Sequence, residues 1–253
     1  MSAASLLRER LRARQVPASV VDRDRTAGLR LHVGCGPHVV DGWENLDKSP
    51  SILLAHTPRL RRLLHRAGVI SDFQAAGFPT NIVYADVARR LPYADGSVDF
   101  IYSSHLIEHL SRWQAVDFTR ECARVLAPGG TMRVCTPDLR QMAGAYLEGE
   151  VSTQSGPGWE TPADGFMSDV NAFSEIRGNF VARLIRRQFS GAIHQWLYDA
   201  ESLRLLLAEG GLPDAAVRRF RVGDVPDLHL LEVRPVGLFM EARRSDGPRP
   251  VES

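Results

Sequence analysis

Lysine is nearly missing from this chain. Lys48 stands alone among 31 basic residues, and the rest are arginine, which we read as coding bias. An excess of charge is missing too: 31 basic against 30 acidic residues leave a formal net charge of +1. That balance excludes a chain drawn to a polyanion by bulk charge, although a local basic face is not excluded by an average. Cysteine is scarce. Cys35, Cys122 and Cys135 are odd in number and have no metal-ligand spacing. Buried thiols in a reducing compartment are therefore expected, and the cytoplasm is the expected location. No stretch approaches the ~20 apolar residues that a membrane-spanning helix needs. The first residues, MSAASLLRERLRARQ, have no apolar signal core and alternate leucine with arginine at helical spacing. Residues 1–27 are expected to be an amphipathic helical extension and 246–253 a disordered tail, around one domain at 28–245.

Within that domain the punctuation is regular. LRLHVG (29–34) and WENLD (43–47) read as short strands, and residues 52–67 as an amphipathic helix in which Thr57-Pro58 starts the regular part. NIVYAD (81–86) and SVDFIYS (97–103) are strands, 111–126 is a helix closed by Pro128-Gly129-Gly130, and TMRVCT (131–136) is a further strand. Thr136-Pro137-Asp138 starts another helix. Residues 148–195 form an insertion whose opening, near 152–165, is rich in glycine and proline and is expected to act as a lid. A helix over 172–189, carrying Arg177, Arg183, Arg186 and Arg187, follows inside it. A helix over 199–209 and strands at 215–222 and 236–244 complete the order. Strands alternating with helices predict an α/β fold with a mainly parallel sheet covered on both faces. Ligands of such sheets bind beyond the carboxyl ends of the strands.

Val33-Gly34-Cys35-Gly36 follows the first strand, so backbone can approach a ligand closely there. A dinucleotide fingerprint needs a third glycine where Val39 stands, which counts against NAD. Asp47 ends the second strand and can accept from ribose hydroxyls. Asp86 ends the third and can accept from an adenine amino group. Either acid can also serve merely as a turn former.

LHVGCGPHVVDGWENLD, YADVARRLPYADGSVDFIYSSHLIEHL and RECARVLAPGGTMRVCTPD together resemble the serial motifs of class I S-adenosylmethionine-dependent methyltransferases, over about residues 29–139. The resemblance implies a Rossmann-like, seven-stranded sheet whose last strand is antiparallel, with S-adenosyl-L-methionine as cosubstrate. It implies Gly34 and Gly36 in the glycine loop, Asp47 at the ribose, Asp86 and Val87 at the adenine, and Ser103 beside the methionine part. Asp47 comes only eleven residues after Gly36, which leaves little room for the family's first helix. That spacing, with the Gly-Trp-x-Asn-x-Asp string, is similar to a bacterial subgroup linked to polysaccharide and glycolipid pathways.

The string SSHLIEHL reads as the opening of a helix after the fourth strand. On a helix His105, Glu108 and His109 share one face by their i, i+3, i+4 spacing. Imidazole, carboxylate and imidazole can bind a divalent metal such as magnesium, or supply a general base, or be purely structural. The string resembles the acid-x-x-Glu-His metal site of small-RNA 2′-O-methyltransferases and ubiquinone-pathway O-methyltransferases, with His105 where those carry an acid. Magnesium prefers oxygen ligands, so the departure counts against it. Glu108 and His109 are the named metal candidates, and His194 a further base or ligand. Asp138 is read first as a helix cap.

A sugar hydroxyl is a weak acid that needs a base or metal, which suits the histidines. Trp159, Phe166, Phe173, Trp196 and Tyr198 flank the expected pocket and suit sugar stacking, a quinone ring or plain packing. The expected function is O-methylation of a saccharide or glycolipid. A small aromatic or lipid acceptor, and a non-catalytic cofactor-binding module, stay open. Nucleic acid is not the expected partner; a homodimer is compatible with the sequence.

Overall fold

The computed structural model describes residues 28–49, 51–70, 72–150, 161–171 and 193–245. Seven strands run through them: β1 (Leu29–Val33), β2 (Glu44–Asp47), β3 (Val83–Tyr84), β4 (Val98–Ser104), β5 (Leu126–Thr136), β6 (Asp214–Arg218) and β7 (Leu238–Arg243). They form one sheet in the order β3-β2-β1-β4-β5-β7-β6. β1 pairs in parallel with β2 and β4, β2 with β3, and β4 with β5. β7 is antiparallel to both β5 and β6. The sheet is thus the expected seven-stranded, mainly parallel one with its last strand reversed. The chain winds outward from β1 in one direction and from β4 in the other, so the crevice lies between their carboxyl ends.

Two helices hold one face. Ser111 caps α4 (Arg112–Val125) in a reciprocal box with Gln114, and Asp199 caps α7 (Ala200–Glu209) with Ser202. α4 buries Ala115, Phe118, Thr119 and Cys122, spaced three and four apart, and α7 buries Leu203, Leu206 and Leu207. Each large side chain so buried is worth roughly 1.5–3 kcal/mol. The helices meet so closely that a Cβ on Gly210 would lie 2.2 Å from the Thr119 side chain.

The other face explains the short link between β1 and β2. No helix occupies residues 34–43. The link between β6 and β7, including α8 (Leu228–Leu231), covers the sheet there instead. Val225, Leu228 and Leu231 pack with Val40, Trp43, Tyr102, Cys135 and Phe239. Asp227 ties the two links together, accepting from Arg30 Nη1 at 2.9 Å and Trp43 Nε1 at 3.1 Å. Asn45 braces the inside: its Nδ2 donates to the Val40 and Trp43 carbonyls, and its Oδ1 accepts from Val40 N and faces His32 Nδ1.

His32, in β1, is 2% exposed. Burial pushes its pKa down from 6.5 to about 4, the Asn45 bond opposes that, and His38 adds to it. Between those values the unfolded chain binds a proton that the folded chain refuses, so stability falls as pH drops. The span from 6.5 to about 4 corresponds to roughly 3 kcal/mol. His32→Leu is expected to flatten the pH dependence of urea unfolding between those limits relative to the parent; parallel profiles would refute the assignment.

Several elements differ from their expected form. The helix over 52–67 is two, α1 (Ser51–Ala55) and α2 (Pro58–Arg66), because Pro58 pushes Thr57 out of helical backbone (φ −131°, ψ 66°). A short α3 (Asp72–Ala76) follows, and β3 has two residues rather than six. α5 (Leu139–Leu147) is capped by Asp138, whose carboxylate accepts from Arg140 N and Gln141 N. α6 (Pro162–Val170), capped by Thr161, begins inside the stretch read as loop. The expected N-terminal helix, the helix over 172–189, the tail, most of the lid stretch, Trp159 and Phe173 lie outside the described residues.

Candidate active site

β1, β4 and β5 lie side by side, with Val33 opposite Ser103 and Ser103 opposite Val134. This register brings the glycine loop, the SSHLIEHL turn and Thr136 to one edge. Gly34 and Gly36 have φ of 74° and 55°, which side chains rarely tolerate. A Cβ on Gly34 would lie 3.1 Å from Leu106, so the two turns touch, whereas a Cβ on Gly36 would meet nothing within 4 Å. That open side is where a ligand can approach backbone.

Asp47 Oδ2 accepts from Gly36 N at 2.8 Å, and its Oδ1 from Ser49 N at 2.6 Å. The strand-end carboxylate therefore sets the loop's shape and keeps lone pairs for a further donor. Asp86 lies two residues past β3, accepts from Ala88 N, and pairs with Lys48 at 3.4 Å and Arg89 at 3.7 Å. Val87 is buried beside it. Ser103 Oγ is buried with no hydrogen-bond partner among the described residues. Burial and the neighbouring Asp47 carboxylate push the Cys35 thiol up, which leaves it an inert loop residue.

The histidine cluster is real, but its scaffold is not the expected helix. His105 leaves β4 with φ 50°, a left-handed backbone, and a single 3₁₀ turn spans Ile107–His109 before Ser111 starts α4. Such strain in a non-glycine residue persists only when its surroundings fix it. Here His105 N donates to the Cys135 carbonyl, and His105 Nδ1 lies 3.0 Å from Glu108 Oε1. Glu108 is fully buried, and Thr136 Oγ1 donates to its other oxygen at 3.2 Å.

His109 and His194 face each other with ring centroids 5.0 Å apart. His109 Nδ1 lies 3.1 Å from the Ile193 carbonyl and His194 Nδ1 2.8 Å from the Val170 carbonyl. A carbonyl only accepts, so both rings carry their proton on Nδ1 and present Nε2. Ligand atoms of Glu108, His109 and His194 lie within 4.8 Å of one another. Burial holds the His194 pKa below its ordinary value, the Glu108 charge opposing and His109 adding, which favours the neutral imidazole.

The segment 193–198 is clamped onto this turn. Gln195 N and Trp196 N donate to the Glu108 carbonyl, Gln195 Nε2 donates to the His109 carbonyl, and Leu139 N to that of Tyr198. Sequence reading missed Thr136 and Gln195, whose roles depend on contacts far apart in the chain. Tyr198 is core rather than pocket wall: it is fully buried. Trp196 is half exposed, and Phe166 stacks on Tyr146 at 5.5 Å. Asp138 remains a cap, bridged to Tyr198.

Residues 55–134 match the family model of the methyltransferase domain. A probable S-adenosylmethionine-dependent methyltransferase of Mycolicibacterium smegmatis is 48% identical over 48 residues, 19% of this chain and 18% of that one. Another of Mycobacterium tuberculosis is 44% identical over 57 residues, 22% and 20% of the two. The chain is thus similar, over residues 55–134, to a methyltransferase domain. The matched parts span about a fifth of the curated relatives' length, 18% and 20%. Among solved structures, an S-adenosylmethionine-dependent methyltransferase of Mesorhizobium loti superposes with a TM-score of 0.42 at 22% identity, covering 93% of this chain and 96% of that one. A protein of Pyrococcus horikoshii gives 0.45 at 13% identity, covering 97% and 92%. The glycine loop and the histidine turn are adjacent parts of one crevice.

Proposed function

We propose that the chain moves a methyl group from S-adenosylmethionine to a hydroxyl of a saccharide or glycolipid, with His105 as base. The carrying observation is the pair made by strained His105 and fully buried Glu108 at the carboxyl end of β4. The bound cosubstrate would supply an electrophilic methyl on sulfur. Glu108 holds the Nδ1 proton, so His105 Nε2 is left to take the hydroxyl proton as the oxygen–carbon bond forms and the carbon–sulfur electrons stay on sulfur. The crevice then supplies alignment, since an in-line displacement depends chiefly on positioning. Half-exposed Trp196 beside the turn suits a sugar ring. The three buried, free thiols fit a reducing, cytoplasmic setting.

The cosubstrate site proposed is Gly34, Gly36, Asp47, Asp86, Val87 and Ser103. The open side of Gly36 and the Ser103 hydroxyl, which has no partner among the described residues, fit a bound molecule there. Asp47→Ala is expected to weaken S-adenosylhomocysteine about ten-fold or more in calorimetry, because a charge-assisted hydrogen bond is lost. Unchanged affinity would reject the ribose role.

A second reading has its own observation. Glu108, His109 and His194 offer one carboxylate and two Nε2 lone pairs, with both Nδ1 atoms held by carbonyls as in oriented metal ligands. Two imidazoles suit zinc better than magnesium. A metal there would polarise the acceptor oxygen, and Glu108, His109 and His194 would hold it. Zinc titration by calorimetry tests this: stoichiometric binding lost in His194→Ala supports it, and no heat refutes it.

A further inference from the structure

α2 is an amphipathic helix with an exposed apolar stripe. Its nine residues, PRLRRLLHR, bury no side chain. Leu60 and Leu63 are 46% and 63% exposed, and Leu64 completes their stripe at i, i+3, i+4 spacing. Exposed leucines on a helix of four arginines and a histidine, without an acidic residue, cannot be explained by packing to the sheet. Arg59, Arg62 and Arg66 form a second stripe on one side of the leucines, and Arg61 with His65 flank the other. The four arginines make no ion pair with a described residue; His65 alone has an acid nearby, Asp72 at 2.7 Å. The preceding helix α1 buries Ile52 and Leu54 and starts four residues after Asp47, so α2 is anchored next to the cofactor loop.

We propose that α2 docks the protein on an anionic lipid surface, with Leu60, Leu63 and Leu64 entering the headgroup boundary and the arginines paired with lipid phosphates. An apolar stripe flanked on both sides by basic residues is the layout of interfacial helices. Long arginine stems can follow the leucines down while the guanidinium heads stay in the polar layer. The chain's balanced overall charge leaves this as a local attraction that salt would screen. No helix among the described residues is long and apolar enough to cross a membrane. The inference stands apart from the methyl-transfer reading, although a glycolipid acceptor would lie on such a surface.

The test is co-sedimentation of the full chain with phosphatidylcholine vesicles, with and without phosphatidylglycerol. Binding is expected to the anionic vesicles alone, falling with added salt. Each of Arg59→Gln, Arg62→Gln and Arg66→Gln should weaken it roughly five-fold. Leu60→Glu/Leu63→Glu should abolish it without changing the melting temperature, since neither leucine is buried. The proposal is overturned by absent vesicle binding, by equal binding to neutral vesicles, or by full binding of the double-leucine variant. It is equally overturned if that variant converts a dimer to a monomer, or if the arginines bind RNA and not vesicles.

Discussion

Replacing His105 by alanine should lower turnover ~10²–10⁴-fold and leave S-adenosylhomocysteine affinity within about two-fold. The base acts on the acceptor's proton, which matters mainly in the transition state. The partner should behave differently. In Glu108→Gln the side chain keeps its shape but loses the charge that orders and stabilises the imidazolium, so turnover should fall while the protein stays folded. The split between turnover and binding separates this from a structural role: both variants should bind S-adenosylhomocysteine like the parent while turning over more slowly. His109→Ala discriminates further. With His105 as the base and no metal, His109 should matter much less. With a metal, His109→Ala and His194→Ala should share the defect, and a chelator should reproduce it in the parent. If all these variants turn over like the parent, the cluster is structural and the base lies elsewhere.

Much of this was legible in the residues. The alternation of apolar runs and glycine punctuation was enough for the sheet, because buried parallel strands need continuous apolar sequence. Helix starts at Ser111 and Asp199 follow from local capping chemistry, visible in a few consecutive residues. What failed was the extrapolation of helical spacing across SSHLIEHL. His105, Glu108 and His109 do come together, yet on a left-handed residue and a 3₁₀ turn rather than a helix face. Spacing alone cannot distinguish these, since the decisive hydrogen bond runs to Cys135, thirty positions away in a neighbouring strand. The short link between β1 and β2 was legible as a missing helix. Its replacement was not, because Val225, Leu228 and Leu231 lie at the far end of the chain.

The same distance in sequence hid the charge beneath that replacement, and it carries the largest stability effect expected here. Arg133→Met should cost ~3–5 kcal/mol in urea unfolding at neutral pH. Arg133 lies in β5 with no exposed surface, its Nε 2.5 Å from Glu232 Oε1 and its Nη1 3.3 Å from Glu241 Oε1. Burial alone would push the guanidinium down, but the Glu232 hydrogen bond and the charges of both acids hold its pKa above the ordinary value. Its remaining donors satisfy the Val222 and Arg219 carbonyls, which fixes the link between β6 and β7 against the sheet. Methionine fills similar space but leaves two buried carboxylates without their cation. Such acids hold a proton more tightly when folded than unfolded, so the deficit should be full at neutral pH and shrink as the solution is acidified. Adding Glu232→Gln to Arg133→Met should recover part of the loss, since it removes one of those charges. A deficit that ignores both pH and the second substitution would mean that lost packing, and not unpaired charge, sets the cost. Because this network anchors the segment covering Trp43 and His38, Arg133→Met should also loosen the glycine loop and weaken S-adenosylhomocysteine binding, although Arg133 is not one of the proposed cofactor residues.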